Sequence, residues 1–219
     1  MAPEGAAGLR LPITAADRGG MLAQMLPRWS SSKLVSTWIT VTLAASIVAT
    51  LDGGWLAGWA AFAPSRIWRG ELWRLATWVV IEPGPLSLVL TCACIYKFGG
   101  ELAVRWGDRR LRRFMAEVLG AAAVAASLLA LVSDDAWHMQ RVGGWAVMDA
   151  LVIAWARQYP DATLVLYGLL HLHGRRLILV TIGVTGLFAL FVGPFAMALD
   201  LLACAAALWY PSARLARRA

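Results

Sequence analysis

Charged residues are scarce in this chain of 219 residues: only 15% of them are charged, whereas 60% are hydrophobic. A soluble domain of this size needs more charge to solvate its surface. The composition therefore excludes an ordinary soluble domain and predicts an integral membrane protein.

Cysteine and histidine are also rare, with three residues of each. The cysteines lie inside apolar runs and show neither CxxC spacing nor a mixed Cys and His pattern, so we predict no disulfide framework, no metal site and no cofactor. The first 30 residues lack an apolar core of signal-peptide length. We therefore expect the first membrane helix to direct insertion.

Long apolar segments recur along the rest of the chain and predict an all-α, polytopic bundle of six transmembrane helices. The second and fourth segments are shorter than the roughly 20 residues that cross a bilayer, so we expect neighbouring protein or thinned lipid around them. A flexible cytoplasmic N-terminal tail (residues 1–33), the membrane domain (34–211) and a basic C-terminal tail (212–219) are the predicted domains. The predicted spans are residues 34–51, 86–98, 115–132, 143–156, 177–192 and 195–209.

The formal net charge of +7 allows nucleic-acid binding as an alternative, but the basic residues bracket apolar runs. That pattern is typical of membrane topology, in which Lys and Arg collect on the cytoplasmic side. We predict cytoplasmic N- and C-termini and membrane lipid as a partner, with no nucleic acid. The bias towards Ala, Arg and Trp favours a bacterial inner membrane over the endoplasmic reticulum.

Two neighbouring motifs carry a family resemblance. The segment GELWRLAT contains Trp73 and Arg74, and YKFGGELAVRWGDRRLRRF contains Gly99, Gly100, Glu101 and Gly107. This order resembles the rhomboid superfamily, where W-R-x-x-T precedes the second membrane helix and F-G-x-x-L-x-x-x-x-G-x-x-R follows it. The resemblance implies a rhomboid-like fold with an interfacial loop and a basic loop.

The interfacial loop is predicted to present a face of Trp and Arg side chains to lipid headgroups, where aromatic rings and guanidiniums are both satisfied. We expect Arg74 to order this loop through hydrogen bonds or lipid phosphates. We also expect Glu101 and Arg105 to form an ion pair four residues apart on one helix. The predicted face consists of Trp68, Arg69, Trp73, Arg74 and Trp78.

The resemblance also locates where catalysis would occur. An active rhomboid protease carries a G-x-S-G motif at the start of its fourth helix and a His on its sixth, and the oxyanion needs donors from the second helix. Here the fourth helix starts with Gly143, Gly144, Trp145 and Ala146, and the sixth span has no His. Glu82, Ser87 and Thr91 stand where the family has His, His and Asn. We therefore predict a degenerate site with no catalytic residue and no enzyme activity.

A further stretch, ALVIAWARQYPDATLVLYGLLHLHGRRLILV, looks like the derlin branch of the superfamily, whose members lack the protease residues. This implies a pseudoprotease that binds or scaffolds other membrane proteins, perturbs lipid and assists membrane protein quality control. Two alternatives stay open: an intramembrane serine endopeptidase with a displaced site, and a structural subunit of a larger membrane complex.

Polar residues within the spans raise two further alternatives. Asp149 and Asp200 either form a carboxyl pair of an aspartyl-protease or proton-site type, or are satisfied separately near helix ends by donors such as Arg141. His171 and His173 either bind a metal incompletely or lie in an interfacial segment. The second interpretation is favoured in each case.

Overall fold

The computed structural model describes residues 32–166 and 170–210, without the side chains of residues 163–172. The predicted tails therefore lie largely outside the described residues. The helices are α1 (Lys33–Leu51), α2 (Trp55–Ala60), α3 (Pro64–Ile67), α4 (Arg74–Thr77), α5 (Pro85–Trp106), α6 (Asp108–Leu129), α7 (Asp134–Trp137), α8 (Trp145–Gln158), α9 (Gly174–Val192) and α10 (Ala198–Trp209), and the strands are β1 (Thr163–Leu166) and β2 (Leu170–His173).

Each of the six predicted apolar segments coincides with a helix. Among the described residues, four helices are long and apolar enough to cross a membrane: α1, α5, α6 with its extension to Val132, and α9. Helix α10 is apolar but shorter, and α8 has only 14 residues. The prediction of a helical, multi-pass membrane protein is confirmed.

Helix α5 is longer than predicted, and its predicted end at Phe98 is wrong. It has 22 residues, because Gly99 and Gly100 both keep helical backbone angles, with φ of −62° and −61°. The π-helical turn Ile95–Gly99 lies at this point. A methyl group on Gly99 would reach ordinary contact distance of side chains from α1 and α8. Gly99 therefore lies inside a continuous helix that packs on α1 and α8, and it does not end the helix.

The predicted basic loop after α5 is also wrong, because Arg105 lies in the last turns of α5 and the other four arginines lie in the first turns of α6, namely Arg109, Arg110, Arg112 and Arg113. Gly107, with φ of 82°, is the break between α5 and α6. The Asp108 carboxylate then accepts hydrogen bonds from the Ser32 hydroxyl at 2.7 Å and from the backbone N–H of Leu34 at 3.1 Å. These bonds hold the starts of α1 and α6 side by side.

Helix α8 lies at the centre of the fold, packed against α5, α6, α9 and α10. None of its 14 residues is exposed. At 1.5 Å per residue it is about 21 Å long, less than the roughly 30 Å of a bilayer core. A helix that is apolar all round belongs in the interior, so its neighbours shield its short length from lipid.

The segment between α1 and α5 is folded around a buried arginine. Arg74, only 1% exposed, donates from Nη1 to the carbonyls of Gly58 and Ala61, both at 2.8 Å, and from Nε to Glu71. Trp78 is fully buried. The predicted headgroup-facing surface is therefore wrong for Arg74 and Trp78, whose side chains donate to backbone carbonyls of the same loop instead of to lipid.

A backbone pairing joins this loop to the segment before α8. The N–H of Phe62 donates to the carbonyl of Arg141 at 2.8 Å, and the reciprocal bond is 3.0 Å. The Phe62 ring meets Trp78 edge-on. The loop thus supports the chain where it enters the central helix.

Strands β1 and β2 form an antiparallel hairpin that the sequence did not predict. Thr163 is opposite His173 and Leu166 is opposite Leu170. The predicted interfacial role of the two histidines is not tested by this pairing, because the side chain of His171 lies outside the described part. The hairpin leads directly into α9.

Candidate site at the start of helix α8

The start of α8 is held by a buried carboxylate from the α5 side. Glu82 Oε1 accepts hydrogen bonds from the backbone N–H of Gly144 at 2.6 Å and from the Thr91 hydroxyl at 2.8 Å. The backbone N–H of Glu82 donates to the Ser46 hydroxyl on α1 at 2.9 Å. A carboxylate at a helix N-terminus satisfies an unpaired N–H and opposes the positive end of the helix dipole. Glu82 therefore ties three helices to one point.

Two glycines make this approach feasible. Gly143 has φ of 128°, a conformation that favours glycine. An added Cβ on Gly144 would lie 2.6 Å from Glu82 Oε1 and 2.7 Å from Thr91 Cγ2. No larger residue fits at Gly144 without moving the carboxylate.

The sequence-predicted positions converge only in part. Glu82, Thr91 and Gly144 meet, whereas the Ser87 hydroxyl makes a local bond of 2.9 Å to the carbonyl of Gly84 in the first turn of α5. Ser46 was missed by sequence reasoning. Its only signal is that it is a polar residue within an apolar span, which does not identify its partner.

Trp145, which the rhomboid resemblance aligns with the nucleophile, packs towards α9. Its ring centroid is 5.4 Å from that of Phe188. Its Nε1 atom is buried and has no hydrogen-bond partner among residues 32–166 and 170–210. An indole N–H is a donor only, and leaving such a group unsatisfied costs about 1–3 kcal/mol.

Asp149, one turn further along α8, joins three helices. Its Oδ2 atom accepts from the Thr185 hydroxyl of α9 at 2.9 Å and from Cys204 Sγ of α10 at 3.4 Å. Sequence reasoning identified Asp149 but missed Thr185. A carboxylate in the membrane interior needs such donors.

Asp200 of α10 has a different partner. Its Oδ2 atom is 3.0 Å from Nη2 of Arg141 in an ion pair whose acidic side chain is almost completely buried. Asp149 and Asp200 therefore have separate donors, which is the arrangement expected of two independently satisfied acids.

Glu101 does not pair with Arg105, so that prediction is wrong. Glu101 accepts from Lys97 Nζ and from Trp155 Nε1 through its two carboxylate oxygens. The guanidinium of Arg105 instead lies 5.4 Å from the ring centroid of Tyr159. Lys97, four residues before Glu101 on the same helix, forms the ion pair instead of Arg105. The second carboxylate oxygen of Glu101 binds Trp155 of α8.

The start of α8 thus carries a backbone donor that the carboxylate of Glu82, from the segment before α5, already binds. Backbone N–H groups at a helix N-terminus are suited to stabilising a developing oxyanion. Here the Gly144 N–H already donates to Glu82 Oε1 at 2.6 Å. In the part of the chain that the structure describes, no group of three or more His, Cys, Asp or Glu residues could hold a metal.

These features define a helical, multi-pass integral membrane protein with a central short helix and internally satisfied carboxylates. The chain belongs to the family described as "Eukaryotic integral membrane protein (DUF1751)", whose match covers residues 32–211. No curated protein matches the sequence.

The family corrects one prediction. A membrane location agrees with its description, but the preference for a bacterial inner membrane is wrong, because the family is eukaryotic. The prediction failed because a bias towards Ala, Arg and Trp reflects the base composition of the gene. It carries no physical information about the membrane in which the protein lies. The predicted side of the termini concerns residues outside the described part.

Proposed function

We propose that this chain is a non-catalytic, rhomboid-like membrane protein of six crossings that binds other membrane proteins, perturbs the surrounding lipid and acts in membrane protein quality control. The observation that carries the proposal is the start of α8, where Gly144 is bound by Glu82 and Trp145 stands in place of a nucleophile. A tryptophan side chain has no group that attacks a carbonyl. A carboxylate next to a forming oxyanion would destabilise it.

Helices α8 and α10, counted with the four longer helices, give the six proposed crossings. The short length of α10 supports an effect on lipid. Helix α8 is enclosed by its neighbours, whereas α10, with 12 residues, reaches only about 18 Å. Trp209 at the end of α10 is 92% exposed. A helix much shorter than the roughly 30 Å hydrocarbon core thins the bilayer around it. Local thinning lowers the barrier for displacing a neighbouring membrane protein.

Trp145 offers a contact for such a protein. The half-buried Trp145 ring and the exposed Phe188 ring form an aromatic surface. The Nε1 atom, buried and unpartnered among the described residues, becomes a free donor when the indole turns outward. A client helix whose backbone carbonyl is freed by a kink or by Gly or Pro would satisfy that donor. Binding of clients with loosened helices is the type of recognition that quality control requires.

The test is purification of the full chain from eukaryotic membranes in mild detergent, with a fluorophosphonate probe on the same sample. Wild type is compared with Trp145→Phe, which keeps a ring but removes the N–H. Trp209→Phe is the matched control, because Trp209 is exposed on α10. We expect membrane proteins that co-purify with wild type and the control to be depleted several-fold by Trp145→Phe, without probe labelling.

Each alternative has its own outcome in this experiment. Labelling of a single serine would overturn the proposal in favour of an intramembrane serine endopeptidase. Recovery of one partner in fixed stoichiometry, unchanged by Trp145→Phe, would instead identify a structural subunit of a larger complex.

A further inference from the structure

A cleft opens between α1, α6 and the loop helix α4, away from the start of α8. Its volume is about 330 Å³. Its walls are apolar except at one end, where Arg112 of α6 lies. Residues that form the walls include Leu34, Trp38, Leu75, Val79, Met115 and Leu119.

The polar end of the cleft coincides with the cationic ends of two helices. The hydrogen bond between Ser32 and Asp108 places the starts of α1 and α6 together. Arg112 is exposed and makes no ion pair within the described ranges 32–166 and 170–210, whereas its neighbour Arg113 pairs with Glu117 at 2.6 Å. Arg112 is thus an available cation where a helix end meets the headgroup layer.

The length of the cleft matches one leaflet. From Arg112 to Gly120, the last wall residue on α6, eight residues of helix rise about 12 Å. Half of a bilayer core of about 30 Å is about 15 Å. The cleft therefore runs from the headgroup level towards the bilayer midplane.

The combination of apolar walls and one cationic end favours an anionic lipid as the occupant of the cleft. A single hydrocarbon chain meets apolar walls along its whole length. The guanidinium at the end pairs with a phosphate oxygen through charge-assisted hydrogen bonds.

We propose that this cleft binds one acyl chain of an anionic phospholipid, whose headgroup Arg112 holds. The site is separate from the proposed client contact at Trp145, since it is formed by α1, α4 and α6 and the other by α8 and α9. Lipid held there would fix α1 against α6.

Native mass spectrometry of the full chain in mild detergent, with added dioleoyl phosphatidylserine or dioleoyl phosphatidylcholine, tests the proposal. We expect wild type to retain one phosphatidylserine about tenfold more tightly than phosphatidylcholine. Arg112→Gln should abolish this preference, since a charged hydrogen bond accounts for roughly that factor. The matched control is Arg176→Gln, an exposed cation at the start of α9, which should leave the preference unchanged.

A second variant tests the apolar part without removing charge. Ala116 lines the cleft and is exposed, so Ala116→Trp should fill the cleft without disturbing the core and should displace both lipids. Equal retention of the two lipids by wild type, or an unchanged preference in Arg112→Gln, would overturn the proposal. Loss of a dimer in Ala116→Trp, with lipid retention unaltered, would show that a second copy occupies the cleft instead.

Discussion

Glu82 and Gly144 lie 62 residues apart in the chain, yet Glu82 Oε1 accepts the backbone N–H of Gly144 at 2.6 Å. A side-chain carboxylate thus caps the central helix from outside that helix. The same oxygen binds Thr91. A polar network of this kind fixes the positions of several helices at once, since none of its members can move without leaving a buried group unpaired.

The first prediction concerns Gly144→Ala. Its Cβ would lie 2.6 Å from Glu82 Oε1, so the carboxylate must withdraw and the cap is lost. We expect the free energy of unfolding to fall by about 1–3 kcal/mol. Unfolding by SDS titration in mixed micelles, followed by tryptophan fluorescence, provides the measurement.

Gly183→Ala is the control for that substitution. Gly183 lies within α9, and an added Cβ there meets no atom of the described residues within 4 Å. Because Ala favours helix over Gly, stability should stay equal or rise by up to about 1 kcal/mol. If both variants behaved alike, close packing at Gly144 would not be what stabilises the start of α8.

The second prediction concerns the ion pair of Arg141 and Asp200. Arg141→Met leaves the almost fully buried Asp200 carboxylate without its guanidinium, which should cost about 3–5 kcal/mol. The double variant Arg141→Met with Asp200→Asn removes both charges and should recover most of that loss. A double-mutant cycle on the free energy of unfolding measures the coupling. Simple additivity of the two single effects would argue that the pair does not exist in the folded protein.

Much of the fold was predictable, because hydrophobic segments long enough to span a membrane are a local property of sequence. The ends of the helices were not. Gly99 and Gly100 resemble a helix stop, but both keep helical backbone angles and α5 continues through them. Only the folded structure shows that Gly99 lies inside a helix in contact with α1 and α8.

Site residues that the family motifs align could be predicted from the sequence. Their hydrogen-bond partners on other helices could not. Glu82, Thr91 and Gly144 were found through aligned motifs. Ser46 and Thr185 were missed, since a lone hydroxyl in an apolar span usually bonds its own helix backbone, as Thr181 does with the carbonyl of Leu177. Thr185 and Asp149 come within hydrogen-bond distance only when α8 and α9 pack together.

The third prediction concerns Arg74→Lys. Arg74 donates from Nη1 to two carbonyls and from Nε to Glu71, a fork that a single ammonium cannot reproduce. We expect a loss of about 1–3 kcal/mol for each buried acceptor left unsatisfied. Unfolding temperature in detergent is the measurement. Arg69→Lys, at an exposed arginine, should change stability by no more than about 0.5 kcal/mol.

A fall in stability with Arg74→Lys but not with Arg69→Lys would show that the buried hydrogen bonds of Arg74 order the loop. Equal, small effects of both substitutions would instead indicate that Arg74 acts at the headgroup layer, where Lys serves as well as Arg. The outcome separates the two roles that the sequence alone left open.

The fourth prediction tests whether Asp149 couples α8 to α9. Thr185→Val keeps the shape of the side chain but removes the hydroxyl that donates to Asp149 Oδ2 at 2.9 Å. Cys204 remains as a weak donor. We expect the free energy of unfolding to fall by about 1–3 kcal/mol, because a buried carboxylate loses a strong partner.

Thr181→Val is the matched control on the same helix, since among the described residues its hydroxyl bonds only to the carbonyl of Leu177, at 2.9 Å. It should change stability by less than about 0.5 kcal/mol. Combining Thr185→Val with Asp149→Leu should restore stability, because apolar groups of similar size replace an unsatisfied polar pair. SDS titration measures all three variants. If Thr181→Val lowered the free energy of unfolding as much as Thr185→Val, the lower helix propensity of Val would explain both losses. That result would refute the interhelical hydrogen bond.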